Sequence, residues 1–206
     1  PPEYSHLYLC IAGELAAVIC IHDPLRKEAK AAVRALHELG IDKVVMMTGD
    51  SRKTAEAVAA EVGVDAVYAE VLPEDKAAFV RNEKAAGRKV IMIGDGVNDS
   101  PALSEADAGI AISTGAAIAR EIADITISSE DLFALVTLRS LSQALMARIH
   151  RNYRFIVSFN FSLIVLGVLG ILPPTTSALL HNMSTLAIGL KSMTNLLPEG
   201  EQNSAH

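Results

Sequence analysis

KVIMIGDGVNDSPAL, Lys89 to Leu103, carries a short apolar run into a loop with two glycines and two carboxylates, Asp95 and Asp99. A brief apolar run closed by Gly and Asp reads as a buried strand leaving through a turn. The same grammar recurs in KVVMMTGD (Lys43–Asp50), near Val67, in AGIAI (Ala108–Ile112) and in DITIS (Asp124–Ser128). Between these runs the spacing predicts helices from Ser51 to Val62, from Pro73 to Ala86 with Gly87 as the stop, after the acidic loop, and through Ile118. Strands alternating with helices imply right-handed crossovers and a parallel sheet covered on both faces, an α/β fold. Ligands of such sheets gather at the carboxyl ends of the strands.

Three polar groups follow strand ends in this reading: Asp23 after VICIH, Thr48-Gly49-Asp50 after VVM, and Asp95 after VIMIG. Lys76, near the start of the helix that opens at Pro73, can reach the same edge. Clustered carboxylates repel one another unless a cation sits among them, and hard oxygen ligands favour Mg²⁺. Thr48 and the amide of Gly49 suit phosphate oxygens, and Lys76 suits developing negative charge.

The flanks differ from this middle. Leu7 to Ile21 reads as a hairpin around Ala12-Gly13-Glu14, and a helix is expected from Pro24, near its first turn, to the stop at Gly40. Cys10 and Cys20 sit in apolar runs and are expected to be buried thiols in a reducing cytosol. A net charge of -6 and 4% aromatic residues argue against a nucleic-acid partner. Beyond Asp131 a run without Pro or Gly predicts one continuous helix, leading into the uncharged stretch Phe155–Leu172. Arg148, His150, Arg151 and Arg154 precede that stretch, Pro173-Pro174 turns the chain, and Thr175–Leu197 returns it. These features predict a two-helix transmembrane hairpin with its basic approach in the cytoplasm. Polar residues at membrane depth, here His181, Asn182, Ser184, Thr185 and Lys191, usually face a protein interior or a transport path.

T-G-D, then P-x-x-K, then M-I-G-D-G-V-N-D-S-P-A-L resembles the phosphorylation domain of P-type ATPases, a branch of the haloacid dehalogenase superfamily, over roughly Leu7 to Asp131. The resemblance implies Asp95 as a Mg²⁺ ligand, Asn98 and Asp99 as its support, Thr48, Gly49 and Lys76 at the phosphoryl group, and Asp50 shaping the site. It also implies ATP, bound mostly by a nucleotide domain of which residues 1–21 are the terminal hairpin. Residues 22–133 then form the phosphorylation domain and 134–206 the linker helix and two membrane helices. The attacking D-K-T-G-T and the T-G-E-S motif are absent from the sequence, so a C-terminal fragment, inactive alone, is expected.

Two spans after the phosphorylation domain resemble the heavy-metal-transporting branch. There R-N-Y-R-F-I-V-S-F-N places Asn160 on the metal path, and H-N-M-S-T places His181 at a Met or His ligand position with Ser184 and Thr185 as the hydroxyl pair. The expected partners are membrane lipid, a transition-metal ion such as Zn, Co, Fe or Cu, and the missing N-terminal part of the same protein. The expected location is a prokaryotic plasma membrane, multi-pass, with the soluble domain and C-terminus cytoplasmic. Alternative readings are a phosphatase of the same superfamily, which needs a D-x-D-x-T/V loop absent here, and a remnant that binds Mg²⁺ or phosphate without catalysis.

Overall fold

The computed structural model describes residues 4–21, 24–94, 97–112, 121–127 and 131–196. They fall into two compact units, Pro1–Val136 and Thr137–His206. In the first, β1 (Ser5–Ile11) and β2 (Glu14–Ile21) form an antiparallel hairpin. Its two-residue turn uses Ala12 at φ 52° and Gly13 at φ 85°. Positive φ at both central positions matches the twist of the flanking strands, which makes this turn the favoured hairpin closure. Leu7, Tyr8, Leu9, Ile11, Leu15, Val18, Ile19 and Ile21 are all exposed. The expected burial of Cys10 and Cys20 is therefore corrected: both are exposed, because no layer of the described residues covers the ribbon.

The α/β elements follow in the expected order. Helix α1 (Ala29–Glu38) leads to β3 (Val45–Met47), α2 (Arg52–Val62), β4 (Ala66–Tyr68), α3 (Pro73–Ala85) and β5 (Ile91–Gly94). A 3₁₀ turn (Val97–Asp99), α4 (Ser100–Glu105), β6 (Ala108–Ile112) and β7 (Ile125–Ile127) complete it. The expected helix through Ile118 lies outside the described residues. Local chemistry explains the boundaries. Ser51 caps α2 by accepting from Thr54 N–H, and Gly63 ends it at φ 81°. Asp75 accepts from the N–H of Leu72 at 3.2 Å, closing the first turn of α3 behind Pro73. Helix α1 begins at Ala29 and not at Pro24, because a turn from Arg26 O to Ala29 N precedes it and the alanine-rich run starts only there.

The strands are parallel, but they form two sheets: β3 with β4, and β5 with β6 and β7. The core joins Val80 of α3, Met92 of β5, Ala102 and Leu103 of α4 and Ala111 of β6, with Met47 of β3 packed against it. Helix α4 lies so close to β6 that a Cβ on Gly109 would stand 2.7 Å from the backbone oxygen of Leu103. Ion pairs ring this core, including Arg81 with Glu105 at 2.9 Å and Lys89 with Asp107 at 2.8 Å.

The second unit contains most of α5 (Phe133–Val168, 36 residues), which begins in the first, and all of α6 (Pro174–Ser192, 19 residues). The expected transmembrane hairpin is corrected: among the described residues no helix is long and apolar enough to cross a membrane. The uncharged run Phe155–Leu172 is not wholly helical, since α5 ends at Val168 and Gly170 turns at φ 72°. Its helical part spans about 21 Å at ~1.5 Å per residue, short of a hydrocarbon core of about 30 Å. In α6 the apolar residues are interrupted by His181, Asn182, Ser184, Thr185 and Lys191.

The Asp107 carboxyl is held below the usual aspartate range, first by the Lys89 ammonium bonded to it and then by the N–H of Val90. Its contribution to stability is complete above about pH 4, the ordinary aspartate value, and is lost as pH falls through the lowered one. Asp107→Asn should flatten the acid limb of the urea midpoint plotted against pH; superimposable limbs would remove Asp107 from the acid response.

Candidate functional site

The loop after β3 is closed by its own side chains. Thr48 Oγ1 donates to Asp50 Oδ2 at 2.7 Å and accepts from Asp50 N–H at 3.1 Å. Backbone bonds then zip it to the loop after β4: Val71 N–H donates to Thr48 O and Glu70 N–H to Asp50 O, both at 3.0 Å. Glu70 adopts φ 57°, a left-handed conformation costly for a side chain other than Gly. The zipped loops lead directly into α3, so Thr48 is tied to the helix that carries Lys76. A Cβ on Gly49 would meet only Val71 O, at 3.9 Å, so this glycine is not demanded by space. Beside the loop lies a depression of about 500 Å³ that sequence reasoning missed, lined by Arg52, Glu56, Tyr68 and Phe79 among others.

Lys76 and Asp99, residues of separate motifs, meet at the carboxyl end of β5. Lys76 Nζ donates to Asp99 Oδ1 at 2.8 Å, with side chains 15% and 12% exposed. Gly94 makes the contact feasible. A Cβ there would lie 2.5 Å from Asp99 Cβ and 2.9 Å from Asp99 Oδ2. This glycine was read from sequence only as the end of a strand; the close approach that demands it arises from the fold. Asn98 lies in the 3₁₀ turn with its residue exposed, and the adjacent Ser100 hydroxyl is buried without a hydrogen-bond partner among the described residues. Asp95 and Asp23 lie outside the described residues. Among the described residues no group of three His, Cys, Asp or Glu side chains is assembled for a metal. A carboxylate such as that of Asp99 is a hard oxygen donor, which suits a hard cation such as Mg²⁺.

In the helical unit, Asn160 of α5 and His181 of α6 face each other, Nδ1 of the imidazole lying 2.8 Å from Asn160 Oδ1. With Nδ1 donating to that oxygen, Nε2 keeps its lone pair. Ser184 Oγ and Thr185 Oγ1 each donate to His181 O, at 2.8 and 3.1 Å, so their outward lone pairs remain as acceptors. A second contact went unseen in sequence, where Arg148 read only as part of a basic flank. Its guanidinium donates to the carbonyls of Ser192, Thr194 and Asn195 at 3.0, 2.6 and 2.8 Å, and Asn152 Nδ2 donates to Ser192 Oγ at 3.0 Å. A fork of donors on the orphan carbonyls of a helix end caps it and complements its dipole.

Removing one member of a largely buried ion pair leaves the other unsatisfied, at a cost of about 1–3 kcal/mol or more. Lys76→Met should therefore lower urea stability by that amount, whereas Arg81→Met, an exposed pair, should cost less than about 1 kcal/mol. Gly94→Ala should reproduce the Lys76→Met loss by displacing Asp99, and the double variant should cost less than the sum. Strict additivity in the cycle would show that the glycine and the ion pair are independent.

Comparisons with known proteins find relatives over most of the chain. A family model described as a haloacid dehalogenase-like hydrolase matches residues 3–107. Copper-transporting ATPase 2 of Rhizobium meliloti (strain 1021) is 47% identical over 176 residues, covering 85% of this chain and 21% of that protein. The copper-exporting P-type ATPase of Staphylococcus aureus (strain JH9) is 39% identical over 182 residues, covering 88% of this chain and 23% of that protein. The crystal structure of a zinc-transporting PIB-type ATPase in its E2·Pi state superposes with a TM-score of 0.80 at 30% identity, over 91% of this chain and 30% of that one. The chain thus spans about a fifth of the length of these curated relatives. It belongs to the haloacid dehalogenase-like hydrolases, as a relative of the heavy-metal-transporting P-type ATPases.

Proposed function

We propose that the chain is the phosphoryl-handling part, with two following helices, of an ATP-driven transition-metal transporter that works through an aspartyl-phosphate. The observation that carries this reading is the Lys76–Asp99 contact, which joins two distant motifs at a strand end in the GDGVND loop. Thr48 and the Gly49 amide bind phosphoryl oxygens, and Asp50 orients Thr48 by accepting its hydroxyl proton. Lys76 neutralises charge that develops on the transferring group while it holds Asp99 in place, and Asn98 supports that loop. Mg²⁺, held by Asp95 and Asp99, would supply charge neutralisation at the phosphoryl oxygens. ATP is bound mainly by the rest of the protein, which also supplies the attacking aspartate.

The whole protein on this reading is a multi-pass pump of a prokaryotic plasma membrane, with the first unit and the C-terminus on the cytoplasmic side. Phe161 at 67% and Val168 at 83% exposure, with Leu179, Leu186 and Leu190 also exposed, support covering of α5 and α6 by other helices of the whole protein. His181 offers Nε2 to the cargo, fixed by Asn160, and the Ser184 and Thr185 oxygens lie one turn on. Imidazole with oxygen donors suits Zn²⁺, Co²⁺ or Fe²⁺, whereas Cu⁺ favours softer ligands supplied elsewhere. The continuous helix α5 is the element through which phosphorylation and cargo release communicate.

Incubated alone with Mg²⁺ and labelled ATP, the chain should form no phosphoenzyme; a Mg²⁺-dependent acyl-phosphate on it would sink the reading. In the reassembled pump, Lys76→Met should slow phosphoenzyme formation by about 10²-fold or more. His181→Ala should abolish metal-stimulated ATPase activity for at least one of Zn²⁺, Co²⁺, Fe²⁺ and Cu⁺. Unchanged stimulation by all four would take His181 off the cargo path.

A further inference from the structure

Helix α6 has no buried residue, so apolar packing within this unit does not choose which of its faces turns to α5. Polar bonds make that choice at two levels. One is Asn160 with His181. The other joins Arg148 and Asn152 to the end of α6, through the carbonyls of Ser192, Thr194 and Asn195 and the Ser192 hydroxyl. At about 3.6 residues per turn the step from His181 to Ser192 is close to three whole turns, so both stand on one line of α6. Arg148 and Asn152, four residues apart, share a face of α5 in the same way. The levels differ in strength. Asn160 and His181 share a single bond, whereas the Arg148 guanidinium makes three charge-assisted bonds from a planar, preorganised fork. The His181 level is also not self-selecting. Turning α6 by one residue, about 100°, would bring Asn182 toward Asn160 in its place, and an amide side chain pairs with another amide as well as an imidazole does. Ser184 and Thr185 do not decide between them, since each donates to the carbonyl of His181 in its own helix.

We propose that Arg148, assisted by Asn152, is the positioning residue that selects His181 over Asn182 as the partner of Asn160 and thereby fixes the His181 proton on Nδ1. An amide oxygen only accepts, so the ring nitrogen against Asn160 Oδ1 is the one that carries hydrogen, and Nε2 keeps the lone pair that a metal ion needs. A His181 released from Asn160 exchanges its proton between the two nitrogens, and Nε2 is blocked for part of the time. Arg148 acts without touching the ring. It holds the last carbonyls of α6, and the hydrogen-bonded turns between carry that setting back to His181. That Nε2 then meets a metal ion rests on the transport reading; the setting of His181 against Asn160 does not.

The test follows the ring nitrogens of His181 by nitrogen NMR in the full 206-residue chain, at about pH 8, above the ordinary histidine value. His181→Ala identifies the signals by their loss. In the unaltered chain the proton should reside on Nδ1. Arg148→Gln should move it toward Nε2, and Arg148→Lys, which donates without the fork, should fall between the two. Arg151→Gln removes the same charge from the same flank and should leave the proton where it was. An unmoved proton in Arg148→Gln, or an equal shift in Arg151→Gln, would overturn the proposal. If Arg148→Gln loses helix by circular dichroism, Asn152→Ala decides instead, with the same shift expected and an unmoved proton overturning. In the reassembled pump, Arg148→Gln should raise the Zn²⁺ concentration for half-maximal ATPase stimulation by about tenfold while the maximal rate is kept. It should add nothing to Asn160→Ala, which already frees Nδ1; additive effects would overturn the proposal. A moved proton with an unchanged Zn²⁺ requirement would retain the positioning and reject His181 as a cargo ligand. A changed requirement with an unmoved proton would reject the positioning and leave the transport reading standing.

Discussion

Asp99 occupies space that any side chain at position 94 would need, and the first unit is arranged around that exclusion. Because Gly94 has no Cβ, the chain leaving β5 can fold back until the carboxylate lies against the strand it has just left. From there Lys76 reaches it, which draws the start of α3 toward the start of α4. Ala102 and Leu103, one turn further, then fall into the core at 0% and 1% exposure. The pair is mostly removed from water, so its net contribution to stability is small beside the cost of leaving either member alone. Its effect is to select one arrangement of two loops.

Much of this was legible in the sequence because the signals are local. Gly40, Gly63 and Gly87 each stop a helix at positive φ, and Pro73 opens one. Apolar runs of three to five residues gave β3 through β7 at nearly their observed limits. The start of α1 was misread because a proline is acceptable in a first turn, whereas the choice between turn and helix over Leu25–Lys27 depends on contacts further along the chain. Strand pairing was less accessible still. Parallel pairing involves partners distant in sequence, so a pattern that fixes which residues are extended does not fix which edges remain open.

The site divides in the same way. Lys76 and Asp99 were recognisable from motif order, and their contact follows from the geometry of a crossover. The requirement at Gly94 was invisible, since it is a collision with a residue that approaches only after folding. In the helical unit, composition gave the apolar run and its polar interruptions but not the break at Gly170, where an uncharged sequence stops being a helix. Burial of Cys10 and Cys20 failed for a related reason, because an apolar strand is buried only when another layer lies against it.

The two polar contacts between α5 and α6 have a mechanical meaning. His181 and Ser192 are about 16 Å apart along α6 at ~1.5 Å per residue, and each is tied to α5, the first through Asn160 and the second through Arg148 and Asn152. One tie would act as a pivot about which α6 could roll or swing. Two ties at that separation, one of them a three-carbonyl fork, resist both. Torque applied to α5 is then delivered to α6 as torque, with little lost to slip between them.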